Sequence, residues 1–160
     1  MKLDDQLFDK VPLNSRERTV CSPTSPSPKW RGVLIQAPQH AALPSSDGKK
    51  GATGIPICGL YTLDIASIAT STPLTLVAID AQRGETFRGA VIDEDPSPEV
   101  PAPNSKPLDP AQYQGVATSS YFNPDLTRYV MLPRRPAVYE VFAEYGGAVS
   151  NRVTIQVVLP

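Results

Sequence analysis

Catalysis by this chain would centre on His40, its single histidine. A hydrolase needs a nucleophile beside a base, and the stretch HAALPSSDG places Ser45, Ser46 and Asp47 shortly after His40. The G-x-S-x-G motif of a nucleophile elbow is missing from the sequence. Triads also assemble in space, so proximity along the chain carries little weight. We therefore expect His40 to be a surface loop residue in a protein that is not an enzyme and uses no cofactor.

Four carboxylates close together in the chain could bind calcium, which prefers hard oxygen ligands. They follow a β-prone run and are Asp93, Glu94, Asp95 and Glu99. Two prolines stiffen this run, and it lacks the D-x-D-x-D-G spacing of a calcium loop. The alternative, which we favour, is a solvated and self-repelling loop that discourages aggregation at a sheet edge.

Two adjacent arginines offer a different kind of site. Arg134 and Arg135, in the sequence PRRP, could together bind a carboxylate or a sulfate, with Arg128 nearby. Arginines on a turn are more often plain surface residues. We keep Arg134 and Arg135 as candidate partner-binding residues.

The two cysteines, Cys21 and Cys58, have neither a CxxC spacing nor a histidine close by, so no zinc site is indicated. A disulfide between them is possible, but nothing in the sequence forces it. The interpretation that we favour is two unpaired thiols, with Cys58 inside a strand, because buried free cysteine behaves as a small apolar residue.

Aromatic residues are the remaining candidates, because a binding module without catalytic groups relies on apolar anchors. Four of them lie around a long loop and the β-prone runs that follow it: Tyr113, Tyr121, Phe122 and Tyr129. Phe142 falls on the same strand face as two glutamates. If the Phe142 ring is exposed beside Val158, the outer face of the last hairpin is a docking surface.

The overall composition excludes several partners. Lys and Arg total 15 against 16 for Asp and Glu, so no attraction to nucleic acid is expected. No apolar run is long enough for a membrane-spanning helix. The start MKLDDQLFDK lacks the pattern of a secretory signal. We expect a cytoplasmic protein, or an extracytoplasmic one if a leader has been removed.

The chain contains 18 prolines, many of which lie between its β-prone runs. Residues 1–29 contain CSPTSPSPK and predict a disordered tail, whereas 30–160 are expected to form one β domain. Within it, 39–54 read as a loop, 55–68 as a long strand or a strand and a bend, and 95–110 as a long proline-rich loop. The β-prone runs are WRGVLIQA, LTLVAID, TFRGAVI, VATSSYFN and LTRYVML, of which the second and third are joined by AQRGE as a hairpin.

The last two runs alternate with the period of a strand. In VYEVFAEY, Tyr139 and Val141 share one face and the glutamates share the other. In NRVTIQVV, Val153, Ile155 and Val157 oppose polar residues in the same way. Each strand therefore buries one face and solvates the other, and the sequence predicts an all-β fold of antiparallel sheets packed in layers.

The segment LPRRPAVYEVFAEYGGAVSNRVTIQV resembles the last two strands of bacterial immunoglobulin-like β-sandwich domains. The resemblance covers about Tyr121 to Val158 and implies an antiparallel immunoglobulin-like sandwich. It also implies that Tyr139 is a tyrosine corner, with its hydroxyl bonded to a loop carbonyl, and that Val141 replaces the inter-sheet cysteine. The single tryptophan, Trp30, departs from the family pattern, because it precedes the first expected strand.

These observations predict a non-enzymatic interaction or structural module that binds a protein, or alternatively a carbohydrate, through loops and an outer sheet face. The candidate partner-binding residues are Phe142, Val158, Tyr113, Tyr129, Arg134 and Arg135. The competing hypothesis is an enzyme inhibitor or immunity-type protein that inserts the loop 95–110 into a cleft, where a stiff backbone lowers the ordering cost of binding.

Overall fold

The computed structural model describes residues 5–44, 54–69, 73–92 and 115–159. Strands are the predominant regular structure of these residues, which confirms the all-β prediction. A 3-10 helix covers Asp5–Phe8. The strands are β1 (Gly32–Gln36), β2 (His40–Ala42), β3 (Cys58–Asp64), β4 (Thr75–Asp80), β5 (Thr86–Ala90), β6 (Ala117–Phe122), β7 (Ala137–Tyr145), β8 (Ala148–Val149) and β9 (Val153–Val158), and the two short helices are α1 (Ile65–Ala69) and α2 (Leu126–Tyr129).

The described strands form two sheets. The smaller sheet has the order β1-β3-β6, and both of its pairings are antiparallel. The larger sheet has the order β2-β9-β7-β4-β5, with β8 folded back on β7. All of its pairings are antiparallel except that of β2, which runs parallel to β9. The main core lies between the sheets and takes side chains from both.

The closing hairpin has the predicted alternation. β7 and β9 are antiparallel, with Tyr139 opposite Ile155 and Val141 opposite Val153. Tyr139, Val141 and Ile155 are completely buried between the sheets. The turn after β7 needs glycine at Gly146 and Gly147, because their φ values of 57° and 80° are unfavourable for other residues.

The hairpin of β4 and β5 is also confirmed. Leu76 lies opposite Gly89 in its antiparallel register, and Gly84 turns the chain with a φ of 70°. β4 lies between β5 and β7, as its nearly continuous apolar sequence predicts. Its residues Leu76, Val77 and Ala78 are all fully buried, so both faces of this central strand are covered.

Two local predictions are wrong. The stretch read as a loop after Gln36 contains β2, a strand of three residues formed by pairing with the distant β9. The run LTRYVML, read as β-prone, begins with α2 instead. Its N-cap Asp125 accepts hydrogen bonds from the Thr127 N–H (2.9 Å) and hydroxyl (2.7 Å). Pairing with β9 outweighs the loop propensity in the first case, and the Asp125 cap outweighs the strand propensity in the second.

The structure also differs from the prediction of a disordered tail. Phe8, Val11 and Cys21 are buried and form a second apolar cluster with Cys58 of β3. Cys58 and Leu60 alternate with Gly59 and therefore lie on the face of the smaller sheet away from the main core. The described part of residues 1–29 thus covers an apolar sheet face that would otherwise meet water.

A disulfide joins Cys21 to Cys58, so the expectation of two free thiols is wrong. Both cysteines are completely buried, and their Cα atoms are 5.9 Å apart. The bond fastens the covering segment to the first residue of β3. The acidic group Asp93 to Glu99 and the proline-rich loop 95–110 lie outside the described residues, and so do the calcium and inhibitor hypotheses that depend on them.

Candidate binding site

Aromatic side chains from both sheets surround a pocket of about 270 Å³ at one end of the main core. We call it the aromatic pocket. Its aromatic lining consists of Tyr61, Tyr121, Phe122, Tyr129 and Tyr145. Apolar residues beside β4 and β5, polar residues of the N-terminal segment and residues in and after β6 complete the lining: Pro73, Leu74, Val91, Asn14, Ser15, Arg16, Ser120, Asn123 and Pro124. Aromatic walls with a few polar groups are typical of ligand pockets.

Tyr61 links the two walls of the pocket. It projects from β3, and its ring meets that of Tyr145 from β7 edge to face, with 5.0 Å between the centroids. The Phe122 ring of β6 lies 6.2 Å from Tyr61, nearly parallel to it. These separations are those of favourable aromatic pairs. The three rings therefore form a rigid apolar floor.

A glycine in β3 allows this arrangement. Gly59 lies opposite Phe122 in the register of β3 and β6. A Cβ atom on Gly59 would overlap the Phe122 ring. The absence of a side chain at this position is what lets the ring lie flat on the strand.

Polar contacts hold the N-terminal segment against the pocket. The buried Asn123 donates its side-chain amide to the Glu17 carbonyl (2.7 Å) and the Ser15 hydroxyl (3.1 Å). The backbone N–H of Asn14 donates to the Asn123 carbonyl (2.6 Å), and that of Asn123 donates to the Ser15 carbonyl (3.0 Å). This network fixes the chain on both sides of Arg16 and thereby places Arg16 at the pocket.

The charge of Arg16 affects the phenol of Tyr145, which lines the pocket. Burial raises the pKa of the Tyr145 phenol, and the neighbouring Tyr61 raises it further, while Arg16 acts in the opposite direction. Tyr145 therefore stays protonated at neutral pH and can donate a hydrogen bond to a ligand.

The far wall of the pocket comes from α2. The Tyr129 hydroxyl donates to the Ile92 carbonyl at 3.3 Å. The Tyr129 carbonyl in turn sits so close to Gly89 of β5 that any Cβ atom there would overlap it. The helix turn is thus seated directly on β5, which holds the Tyr129 ring at the pocket.

The structure brings together three of the four clustered aromatics named from the sequence, namely Tyr121, Phe122 and Tyr129. Tyr113 lies outside the described residues. Tyr61, Tyr145 and Arg16 were not among the candidates. A usable signal existed for the first two: each is a tyrosine at an inward position of a strand, and its hydroxyl needs a polar outlet that an aliphatic residue does not.

The predicted docking surface around Phe142 differs from expectation. The Phe142 residue is only 6% exposed, although it lies on the outer face of the larger sheet. The Arg152 guanidinium covers the ring and also pairs with Glu140 at 3.1 Å. Val158 is 41% exposed. Of the two residues, only Val158 offers apolar surface to a partner.

The two candidate arginines have separate protein partners. Arg134 is exposed and donates to the Pro44 carbonyl at 2.8 Å. Arg135 forms ion pairs with Glu85 (3.0 Å) and Asp80 (3.4 Å). Because these contacts already engage both guanidinium groups, the PRRP turn is not a preformed pair of free cations for an external anion.

His40 pairs with a residue that the sequence did not suggest. Its Nδ1 lies 3.0 Å from Asp5 Oδ2, while the Gln39 N–H donates to Asp5 Oδ1 at 2.6 Å. Burial tends to raise the pKa of Asp5, but the Gln39 hydrogen bond and the contacts with His40 outweigh it and lower the pKa. The described residues around His40 include no serine or cysteine that could act as a nucleophile. Ser45, Ser46 and Asp47 lie outside the described residues.

The described residues contain no group of three or more side chains able to hold a metal ion. None of their helices has the length and apolar character needed to cross a membrane. Comparison of the chain with protein-family models, with curated proteins and with solved structures finds no match.

Proposed function

We propose that this protein is a non-enzymatic binding module with an immunoglobulin-like β-sandwich, and that its aromatic pocket receives an apolar anchor from a protein partner. The carrying observation is that five aromatic residues, from both sheets and α2, line one pocket of about 270 Å³. Aromatic-lined pockets are where a single inserted side chain gives most of the binding energy.

The strand order supports the immunoglobulin-like part of the proposal. Successive strands β3 and β4 belong to different sheets, and so do β6 and β7. The short β2 runs parallel to the last strand, β9, beside the hairpin that carries the family resemblance. This combination is compatible with a sandwich whose first strand is divided between the two sheets.

The buried disulfide bears on the compartment. Structural disulfides persist in oxidising surroundings and are rare in a reducing cytosol. The Cys21–Cys58 bond therefore favours the extracytoplasmic alternative for the place where the protein works.

Site-specific photo-crosslinking tests the pocket. A photoreactive phenylalanine analogue replaces Tyr129 in one preparation and Met131, which is 89% exposed outside the pocket, in another. We expect the Tyr129 preparation alone to crosslink one partner from the native host. Tyr129→Ala should then weaken purified binding about 30-fold, as loss of an aromatic anchor does, whereas Met131→Ala should not. Equal crosslinking at both positions, or unchanged affinity of Tyr129→Ala, would contradict the proposal.

A carbohydrate is the second candidate, because Asn14, Ser15 and Arg16 place polar groups beside the aromatic rings. A glycan array probed with the wild-type protein and with Tyr129→Ala distinguishes the two. Binding of one glycan by the wild type alone would assign the pocket to a sugar ring.

A further inference from the structure

A second cavity, of about 620 Å³, lies on the opposite flank of the sandwich between β1 and β9. We call it the lateral groove. One wall is β1, another is β9 with the start of β2, and the third is the covering N-terminal segment. The lining includes Phe8, Leu34, Ile35, Asn151 and Thr154. The groove shares no residue with the aromatic pocket.

One side of the groove is an unpaired strand edge. β1 is the outermost strand of the smaller sheet and pairs only with β3 in the described chain. The Ile35 N–H donates to Asn151 Oδ1 (2.9 Å), and the Ile35 carbonyl accepts from Asn151 Nδ2 (3.0 Å). Ile35 therefore directs its backbone groups away from β3. The side chain of Asn151 thus already satisfies the backbone of Ile35, the β1 residue that faces the groove.

The other side is a second strand edge. The Gln156 N–H of β9 donates to the Gln39 carbonyl at 2.7 Å, on the side away from β7. β2 begins at His40 and pairs only with Gln156 and the two residues after it. Thr154 directs its backbone groups to the same side as Gln156 but lies before the start of that pairing. Within the described chain, no strand pairs with β9 at this position.

The contact of Asn151 shows which groups can hydrogen-bond to the backbone of these strand edges. Its side-chain amide offers one acceptor and one donor to Ile35, as a peptide group of a neighbouring strand would. Edges that are long and unpaired are templates for another extended chain. The described lining also contains no Asp or Glu that would repel an acidic segment.

We propose that the lateral groove binds an extended segment of a partner polypeptide by β-strand addition. Its backbone hydrogen-bonds to the free edge of β9 at Thr154. Alternate side chains of the segment face Leu34 and Phe8 on one side and solvent on the other. Because the groove is separate from the aromatic pocket, this proposal stands without the function proposed above.

A display library of linear ten-residue peptides, selected against the folded wild-type protein with its disulfide intact, provides the probe. Synthetic copies of the enriched peptides are then measured against two matched variants. Thr154→Pro removes an N–H that faces the groove and leaves the bonds of Val153 and Ile155 to β7 in place. Thr86→Pro is the control, because Thr86 is equally exposed and its N–H faces away from β4 on the opposite edge of the same sheet.

We expect Thr154→Pro to weaken binding about tenfold or more, as loss of a backbone hydrogen bond and a new steric clash require. Thr86→Pro should bind like the wild type, and N-methylation of alternate peptide bonds in the peptide should abolish binding. Should Thr154→Pro fail to fold, slowed hydrogen exchange of the Thr154 amide in the peptide complex tests the same contact. The proposal is overturned if no peptide is enriched, if Thr154→Pro or the N-methylated peptide binds normally, or if this amide stays unprotected.

Discussion

The guanidinium carbon of Arg152 lies 4.8 Å from the centre of the Phe142 ring. Phe142 is next to Val77 in the register of β7 and β4, and Val77 is completely buried. Arg152 thus closes a small apolar patch on the outer face of the larger sheet, while its pairing with Glu140 holds it in place. The ring that was expected to anchor a partner is already covered by its own chain.

Phe142→Ala should therefore lower the free energy of unfolding by about 3–5 kcal/mol, because it leaves a cavity at a buried aromatic position. The matched control is Arg152→Ala, which removes an exposed cation–π contact and ion pair and should cost no more than about 1 kcal/mol. Urea denaturation measures both. An unaltered midpoint for Phe142→Ala, together with loss of partner binding, would restore the docking role.

Tyr139→Phe tests the tyrosine corner. The Tyr139 ring is fully buried, as expected, but among the described residues its hydroxyl has no hydrogen-bond partner. The predicted bond to a loop carbonyl is therefore absent from the described structure. Burial raises the pKa of this phenol, although the charge of Arg135 acts in the opposite direction.

Removing an unpaired buried hydroxyl relieves a desolvation penalty, so Tyr139→Phe should leave the free energy of unfolding unchanged or raise it by on the order of 1 kcal/mol. Thermal or urea unfolding gives the answer. A loss on the order of 1 kcal/mol would instead show that the hydroxyl is bonded in solution and would favour the corner.

The double replacement Cys21→Ser and Cys58→Ser should lower the free energy of unfolding by about 2–5 kcal/mol. The bond closes a loop between the N-terminal segment and β3, so its loss frees the cover of the smaller sheet. Proteolysis within the N-terminal segment should become faster as well. Wild-type protein in reductant is the control and should behave like the double variant. Two free thiols in non-reduced wild type would contradict this assignment.

The lowered pKa of the buried Asp80 carboxyl predicts that the protein loses stability in acid. The backbone N–H groups of Arg83 (3.0 Å) and Gln82 (2.9 Å) donate to its carboxylate and, with Arg135, lower its pKa below 3.8 despite burial. A lowered folded-state pKa stabilises the protein above the unfolded-state pKa, and this stabilisation disappears as the pH falls through the folded-state value.

The melting temperature of the wild type should therefore exceed that of Asp80→Asn at neutral pH, and the difference should shrink below about pH 4. Melting curves of both proteins across the acid range measure it. Glu85→Gln is a suitable control, because Glu85 shares Arg135 but its side chain is half exposed. A difference that stays constant down to pH 2 would contradict the role of the Asp80 carboxylate.

The alternation of apolar and polar residues along the chain predicted those features of the fold that depend on residues close in sequence. The closing hairpin, the hairpin of β4 and β5, and the inward positions of Tyr139 and Ile155 all followed from a period of two and from glycines at the turns. The clustering of Tyr121, Phe122 and Tyr129 was also expected, because they are close in sequence. Such features are local, and so each short segment carries its own signal.

Contacts between distant segments decided the rest. The pairing of Cys21 with Cys58, the strand β2 and the contact of Tyr61 with Tyr145 each join parts of the chain that are far apart in sequence. A composition rich in proline and serine resembles that of a disordered tail, yet the apolar outer face of β3 supplies the buried area that orders the described part of the segment. The sequence by itself determined which residues face inward within each strand, while only the tertiary structure decided what covers each sheet face, because burial depends on whatever packs against that face.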